Sequence, residues 1–238
     1  MLTTKAIGNF VYGDKYRHGN WDDMLAADLI KARVRPDFTV LEVGAGAGRV
    51  GYVKLKGQVA KVIGIDPDRR VIDNPLLDVG VEGFAESIPL DSASIDLAYS
   101  INCLEHLPNP QAAFTEIARV LKPGGLFITK TPLKWHYVAI IARLTPQRFH
   151  EWFNRELRKR DDEDTFPTVY RVNSITAQRR IARATGFVVR DMIFCEGRPG
   201  YLQFNAVAYC LGIVYERVVT LLGLNGLKSV VITVFEKR

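Results

Sequence analysis

The amino-acid sequence predicts an α/β protein in which helices cover both faces of a doubly wound, mostly parallel sheet. Short segments rich in β-branched residues alternate with segments of helical periodicity, which is the pattern of consecutive βαβ units. A glycine-rich turn follows the first strand-like segment, and a carboxylate ends the second. The closing strand follows Gly223 and Gly226, so we expect it to enter the sheet antiparallel to its neighbours.

The strands and helices can be assigned in chain order from these periodicities. We expect strands over residues 39–43, 59–65, 95–100, 126–131, 187–195 and 229–235. We expect helices over residues 21–32, 49–55, 67–72, 111–121, 134–144, 147–160, 174–185 and 202–222. The first helix carries Trp21, Leu25 and Leu29 on one face, and the helix at 174–185 ends at Gly186.

The length of 238 residues suits one α/β domain with a full hydrophobic core. We therefore interpret residues 1–238 as a single domain. Its core would comprise residues 21–132 and 173–238. The segment at about 133–172, rich in aromatic residues and arginine, would form an elaborated helical lid.

Composition and charge argue against several classes of protein. The start of the chain has no apolar segment of the kind found in secretory signal peptides. Cys103, Cys195 and Cys210 show neither metal-binding spacing nor a disulfide pattern, so we expect reduced thiols, no metal and a cytoplasmic protein. The net charge of +6 is not concentrated in a basic arm or patch, so no nucleic-acid partner is expected.

The most informative segment is the glycine-rich turn at residues 40–49. A buried strand runs directly into Gly44, Gly46 and Gly48. Glycine allows positive φ values and lets the backbone approach a ligand without a Cβ in between. The helix expected after this turn would direct its free N–H groups and its positive dipole end at the same ligand.

The strand that precedes Asp66 supports a nucleotide-like ligand. Its buried residues end in a carboxylate about twenty residues after the glycine turn, where an acid can accept hydrogen bonds from both hydroxyls of a ribose. The alternative is that Asp66 caps the short helix after Pro67. The cofactor role is favoured because the turn and the acid occur together.

The glycine spacing alone does not decide which cofactor binds. Gly46, Gly48 and Gly51 satisfy the GxGxxG pattern of dinucleotide sites, so an NAD-dependent oxidoreductase is an alternative. Against it, Glu42 precedes the first glycine by two residues and would lie unfavourably near a pyrophosphate. The chain also lacks a second half that resembles a dehydrogenase substrate domain.

Together, five sequence blocks resemble the class I S-adenosylmethionine-dependent methyltransferases, and in particular the small-molecule group that includes the ubiquinone and menaquinone biosynthesis enzymes. The blocks, in order and with the spacing of that family, are residues 41–48, 64–66, 85–90, 94–107 and 119–125. The resemblance implies a Rossmann-like, seven-stranded sheet whose last strand is antiparallel. It also implies S-adenosylmethionine as cofactor.

By this resemblance, the cofactor would lie along the carboxyl ends of the strands. The glycine turn would pass under its methionine and ribose part, with Glu42 acting on the ammonium group directly or through water. Asp66 would hold the ribose hydroxyls, and the Ala85 N–H would address the adenine. The implied cofactor-binding residues are Glu42, Gly44, Ala45, Gly46, Gly48, Asp66, Pro67, Ala85, Glu86, Ser100 and Ile101.

Phe84 departs from the pattern of the family. Many relatives have an aspartate at this position, which accepts a hydrogen bond from the adenine amino group, and Glu86 is the residue that could replace it. This departure keeps open a non-catalytic relative that retains the fold. Against that alternative, the three glycines and Asp66 are intact.

Methyl transfer from a sulfonium is an in-line displacement that depends mainly on positioning. A general base is needed only when the acceptor proton has a high pKa. His106 follows the fourth strand closely and is the candidate base; alternatively, it orients the turn before Pro108. Candidate acceptor-binding residues are Tyr16, His136, His150, Tyr170 and Arg171.

The acceptor is left open between a lipid or quinone precursor and a sugar, methylated on oxygen or carbon. Methyltransferases that act on nucleic-acid amino groups commonly have a proline-containing block after the fourth strand. Residues 100–103 read Ser-Ile-Asn-Cys at this place, so no such activity is expected.

The segment 201–224 is unusually apolar. Glu216 and Arg217 interrupt it, so a membrane-spanning helix is not expected. Either it is a buried helix between the last strands, or it docks the protein peripherally on a membrane or an apolar acceptor. Basic residues that could assist such docking are Arg143, Arg148, Arg155 and Arg158.

Overall fold

The computed structural model describes residues 3–13, 21–48, 51–144 and 167–238, with the side chains of residues 142–144 excepted. Tyr16, His150 and the helix expected at 147–160 lie outside these residues. So do Arg148, Arg155 and Arg158, and the side chain of Arg143.

The described part of the chain contains six α-helices, seven strands and four short 3-10 helices. The helices are α1 (Thr4–Tyr12), α2 (Trp21–Lys31), α3 (Pro110–Val120), α4 (Tyr137–Leu144), α5 (Ile175–Ala184) and α6 (Ala206–Leu221). The strands are β1 (Thr39–Val43), β2 (Lys61–Asp66), β3 (Val79–Glu82), β4 (Ile95–Ile101), β5 (Leu121–Pro132), β6 (Phe187–Cys195) and β7 (Val230–Lys237). Short 3-10 helices are Arg69–Asp73, Leu104–His106, Gly200–Leu202 and Asn225–Leu227.

The described residues divide into two compact units. We call residues 22–48, 51–131, 168–193 and 231–238 the sheet unit. Residues 3–13, 21, 132–144, 167 and 194–230 form the second, which we call the helical unit.

Over the described residues the strands form a seven-stranded sheet in the order β3-β2-β1-β4-β5-β7-β6. Strands β1 to β5 pair in parallel, whereas β7 is antiparallel to both of its neighbours. The predicted doubly wound, Rossmann-like sheet with an antiparallel last strand is thus confirmed.

The central strands are apolar because both faces of the sheet are covered. In β1, Val40, Leu41 and Val43 are almost completely buried. Against the sheet packs an aromatic cluster whose rings meet mostly edge to face, an arrangement that adds to their area burial. Its members are Phe114, Phe127, Phe187 and Phe235.

The helices of the sheet unit begin and end at the residues that the sequence indicates. Asn109 caps α3 by accepting from the backbone N–H of the first turn, and Pro110 occupies the first position of the helix. Ser174 caps α5 in the same way. Gly186, with φ of +81°, follows that helix and turns the chain into β6.

The predicted helix over residues 49–55 is wrong for the residues described, because residues 51–55 are not helical. Gly51, Tyr52 and Val53 have modest or poor helix propensity, and so short a segment gains little from cooperativity. The sequence also gave no signal for α1 or β3. Strand β3 lies at the edge of the sheet, where a half-exposed segment lacks a clear hydrophobic alternation.

A buried cation fixes α2 to the sheet. The ammonium of Lys130 on β5, which is 4% exposed, lies 2.9 Å from a carboxylate oxygen of Asp22 and also bonds Asp23. Burial alone would lower the pKa of Lys130, but the two carboxylates outweigh burial and raise the pKa. The ammonium is therefore charged at neutral pH, and its charge is matched within the fold.

We expect Lys130→Met to lower the free energy of unfolding by about 3 kcal/mol, because two partly buried carboxylates lose their cation. Urea denaturation measures this loss. The matched control is Lys122→Met, since Lys122 pairs with Asp96 but is 47% exposed. That control is expected to cost less than about 1 kcal/mol. Equal losses in the two variants would contradict the structural role of the buried cluster.

Candidate functional site

Three neighbouring strands bring the predicted cofactor residues to one edge of the sheet. Strand β1 lies between β2 and β4 and is parallel to both, so the carboxyl ends of all three meet. Gly44, Asp66 and Ser100 stand at or just beyond these ends. Ligands of open α/β sheets bind at such an edge, where the strand order reverses.

The glycine turn depends on its lack of side chains. Gly44, Gly46 and Gly48 have φ values of +82°, +50° and +69°, which other residues adopt at a cost. A Cβ on Gly44 would lie only 2.7 Å from the side chain of Cys103. A Cβ on Gly46 would meet no atom of the described residues within 4 Å, so among these residues the backbone there faces open space that a ligand could approach closely.

Asp66 supports the turn directly. One of its carboxylate oxygens accepts a hydrogen bond from the Gly46 N–H at 2.9 Å, and the other accepts from the Asp68 N–H at 2.8 Å. The residue that caps the short helix Arg69–Asp73 is Asp68, not Asp66. The alternative role of Asp66 as that helix cap is therefore wrong.

Asn74 is a structural partner of the turn that the sequence analysis missed. Its buried side-chain amide donates to the carbonyls of Ala45 and Gly46, each at 3.1 Å, and its oxygen accepts from the Leu76 N–H at 2.9 Å. A Cβ on Gly48 would collide with this amide. The sequence signals only a turn here, because an asparagine before a proline is typical of turns.

Glu42 places a carboxylate below the turn. It accepts a hydrogen bond from the Tyr99 hydroxyl at 2.8 Å, yet burial raises its pKa to about 7, helped by the charge of Asp66. Between its usual pKa of 4.5 and about 7 the folded protein therefore binds more protons than the unfolded chain. The free energy of unfolding consequently falls as the pH rises through this interval. A cationic ligand group beside Glu42 would offset that cost.

A pocket in the sheet unit opens beside these groups. Its lining includes Glu42, Ala45, Gly48, Asn74 and Ile101. It thus combines a carboxylate, glycine backbone and an apolar side chain from a neighbouring strand. Such a mixture of apolar surface and a few placed polar groups is typical of small-molecule sites.

The segment after β3 lies next to Asp66. The Gly83 N–H donates to the backbone carbonyl of Asp66 at 3.0 Å, and Ala85 follows as a buried residue. Phe84 is 63% exposed, and Pro67 is also exposed. The carboxylate of Glu86 accepts from the backbone N–H at the start of α3, so it has a structural partner already.

Some of the residues predicted to bind the methyl acceptor or to act as the base lie close together in the fold. His106 lies in the short helix after β4, and the backbone carbonyl of Glu105 beside it accepts from Val169 at 2.7 Å and from Tyr170 at 3.1 Å. Tyr170 is half-buried and has φ of +50°, and Arg171 is exposed. The predicted base and two predicted acceptor-binding residues therefore lie on adjacent segments.

Glu105 is a second residue that the sequence analysis missed. Its carboxylate is buried and accepts from the Thr131 hydroxyl at 2.9 Å, and Asn173 donates to that hydroxyl oxygen at 2.6 Å. Burial raises the pKa of Glu105. These hydrogen bonds join three segments next to His106: the short helix after β4, the end of β5 and the segment before α5.

Two other residues have surroundings that favour packing roles. Burial raises the pKa of the Cys103 thiol to about 12, so it is not a reactive thiolate. His136 belongs to the helical unit, where its buried ring lies 3.5 Å from Glu196 and against the rings of Tyr137 and Tyr215. Its contact with an acceptor stays a prediction.

Comparison with known proteins identifies the segment that carries this site. Residues 41–129 match the family model of a methyltransferase domain. Over these residues the chain resembles a methyltransferase domain. Every residue of the glycine turn, Asp66, the segment at 83–86 and His106 lies inside the matched segment. The resemblance to class I S-adenosylmethionine methyltransferases is confirmed.

Several curated proteins that are similar to this chain are named as C-methyltransferases. A 24-methylenesterol C-methyltransferase 2 of Oryza sativa subsp. japonica is 27% identical over 211 residues, covering 82% of this chain and 54% of the relative. A ubiquinone/menaquinone biosynthesis C-methyltransferase of Brucella anthropi is 33% identical over 129 residues, covering 47% of this chain and 46% of the relative. The chain thus spans about half the length of these relatives.

Solved structures share the fold. The YcgJ protein of Bacillus subtilis superposes with a TM-score of 0.56 at 18% identity, covering 90% of this chain and 98% of that protein. A geranyl diphosphate C-methyltransferase of Streptomyces coelicolor A3(2), solved with S-adenosyl-L-homocysteine, superposes with a TM-score of 0.57 at 15% identity. It covers 91% of this chain and 77% of that enzyme.

We expect Gly44→Ala to destabilise the protein more than Gly57→Ala. Both glycines have positive φ, +82° and +79°, so each alanine meets about 1–2 kcal/mol of backbone strain. Only at Gly44 does the new methyl group also press on Cys103, which adds about 1–3 kcal/mol. Thermal or urea unfolding of the two variants measures the difference. Equal destabilisation would show that Cys103 moves aside freely.

Proposed function

We propose that the chain is an S-adenosylmethionine-dependent methyltransferase that methylates a small, lipid-like molecule on carbon. The observation that carries this proposal is the open glycine backbone at Gly46, flanked by the carboxylates of Glu42 and Asp66 within a methyltransferase domain.

The residues present fit the cofactor. Glu42 is a desolvated carboxylate suited to an ammonium group, and Asp66 keeps acceptor capacity for ribose hydroxyls beyond its two backbone bonds. Ala85 stands beside the exposed Phe84, where a planar ring could lie. When bound, the cofactor would supply an electrophilic methyl group on a sulfonium.

The chain itself would contribute positioning and exclusion of water. Ser100 and Ile101 pair with β5 and so hold the end of β4 in the sheet. The backbone carbonyl of Glu105 holds the segment of Tyr170 against that of His106. His106 would remove a proton from the acceptor when the acceptor requires it. The protonated Cys103 thiol would take no part in bond formation.

The acceptor class is inferred from the relatives. Two of the relatives described above are named as C-methyltransferases, one of a 24-methylenesterol and one of ubiquinone/menaquinone biosynthesis. A further relative, of Botryococcus braunii, is named as a squalene methyltransferase. This pattern supports an apolar acceptor methylated on carbon over a sugar methylated on oxygen. An apolar acceptor would also agree with a peripheral contact between the protein and a membrane.

Calorimetric titration with S-adenosylhomocysteine tests the cofactor. We expect Asp66→Ala to weaken binding by about tenfold to a hundredfold, the effect of about 1–3 kcal/mol from lost charge-assisted hydrogen bonds. The matched control is Asp68→Ala, which removes a neighbouring carboxylate just after β2. The Asp68 carboxylate pairs with Arg70 and caps the short helix. Equal affinities in wild type and Asp66→Ala would contradict the proposed site, and NAD would then be titrated.

We expect binding of S-adenosylhomocysteine to strengthen as the pH rises through about 7, because an ammonium group pairs with Glu42 only when that carboxylate is ionised. Tyr99 and Asp66 are the titratable groups that face it. Glu42→Gln should bind more weakly and lose this pH dependence. If the affinity of Glu42→Gln for S-adenosylhomocysteine kept the pH dependence of the wild type, Glu42 would not belong to the cofactor site.

A further inference from the structure

Helix α6 of the helical unit has two different faces. Its inner face consists of the buried residues Tyr209, Gly212, Glu216 and Val219. Their spacing of three and four residues places them on one side of the helix. The inner face includes an ionisable carboxylate, which needs polar partners to be buried.

Neighbouring segments of the helical unit cover this inner face. The Tyr12 hydroxyl at the end of α1 donates to the Glu216 carboxylate at 3.4 Å. A Cβ on Gly8 of α1 would lie 2.7 Å from the Tyr209 hydroxyl oxygen, so α1 packs closely along α6. Leu202 approaches Gly212 in the same way. The inner face therefore holds α6 within its unit, together with Tyr215, whose hydroxyl donates to the Leu227 carbonyl and whose ring packs on that of His136.

The outer face of α6 is apolar and exposed. Val207, Leu211, Val214, Val218 and Leu221 recur at helical spacing and are 69%, 66%, 58%, 44% and 85% exposed. Exposed apolar side chains continue this face beyond both helix ends, namely Tyr201, Phe204, Leu222 and Leu224. Isolated exposed apolar residues are ordinary, but a contiguous apolar patch of this length marks an interaction surface. The helix is thus not fully buried, whereas one sequence interpretation had it as a buried helix.

The charges of the helical unit specify the partner. Its carboxylates within the described residues are Glu196 and Glu216, and both side chains are 6% exposed. The ionised side chains that this unit presents to solvent are basic: Lys5, Lys134, Arg198, Arg217 and Lys228. Arg217 lies on α6 itself, and Arg198 and Lys228 adjoin the segments before and after it. A second copy of the chain would bring like charges together, whereas an anionic surface complements them.

We propose that the outer face of α6 docks the protein on the surface of an anionic lipid bilayer. The apolar stripe would enter the boundary between headgroups and acyl chains, and the basic residues would pair with lipid phosphates. Among the helices of the described residues, none has the length and hydropathy of a membrane span. The docking suits a lipid-borne acceptor, but it stands on its own geometry and not on the proposed methyl transfer.

Vesicle co-sedimentation of the full chain tests this proposal without any measurement of catalysis. The vesicles contain phosphatidylcholine alone or equal parts of phosphatidylcholine and phosphatidylglycerol. We expect binding to the mixed vesicles, weaker binding to phosphatidylcholine, and release from the mixed vesicles by added salt. Leu211→Glu should weaken binding to the mixed vesicles by about tenfold or more, since it removes an apolar side chain that docking would bury and adds a charge that the anionic lipids repel.

The matched control is Ile72→Glu. Ile72 is 52% exposed and belongs to the sheet unit, so this variant makes the same charge change on another surface and should bind like the wild type. Equal loss in the two variants, or no binding to either vesicle, would overturn the proposal. So would a wild-type dimer in sedimentation equilibrium that Leu211→Glu dissociates, because a second copy would then be the occupant of this face.

Discussion

The hydrogen bond from the Gly46 N–H to the Asp66 carboxylate is the constraint on which the site depends. It joins the turn after β1 to the end of β2, and it is charge-assisted, so it is stronger than a neutral hydrogen bond. The Gly44 N–H donates to a carbonyl of the same strand, and Asn74 holds the turn from its other side. Movement of β2 relative to β1 would therefore move the whole turn.

This constraint explains why the sheet and the strand-end residues could be predicted from the sequence. A buried parallel strand can be recognised in the sequence as a short run of β-branched residues. Parallel pairing then places the carboxyl ends of such strands at one edge of the sheet, whatever segments connect them. Glu42, Gly44 and Asp66 needed no further information, because each stands at a fixed distance from a strand end. The antiparallel β7 was predictable for a similar reason, since glycines and a short polar boundary precede it.

The features that the sequence could not supply depend on contacts between distant segments. Asn74 and Glu105 look like ordinary loop and helix-end residues, and only the fold places the first over the glycine turn and the second behind His106. The helix expected after the turn was a local inference that the described residues 51–55 do not bear out. His136 was assigned to the acceptor because it lies in the segment expected to form the lid, and that assignment stays a prediction. The sequence could not supply the contacts of its buried ring with two tyrosines and Glu196.

Positive φ values at non-glycine residues mark positions where the backbone of the sheet unit is strained. Non-glycine residues with positive φ in the described chain are Ala93, Asn102 and Tyr170. Two of these three lie near His106. Asn102 follows the end of β4 and its N–H donates to the Lys130 carbonyl of β5, and the Tyr170 N–H donates to the Glu105 carbonyl. Strain of this kind persists only where the surroundings enforce it, and it concentrates at functional sites. The carboxyl edge of the sheet therefore carries two free-energy costs that packing does not require. One is this backbone strain, and the other is the desolvation of the Glu42 carboxylate. A cationic ligand group beside Glu42 would offset the desolvation cost of that carboxylate, which is the physical reason to propose the cofactor at this edge.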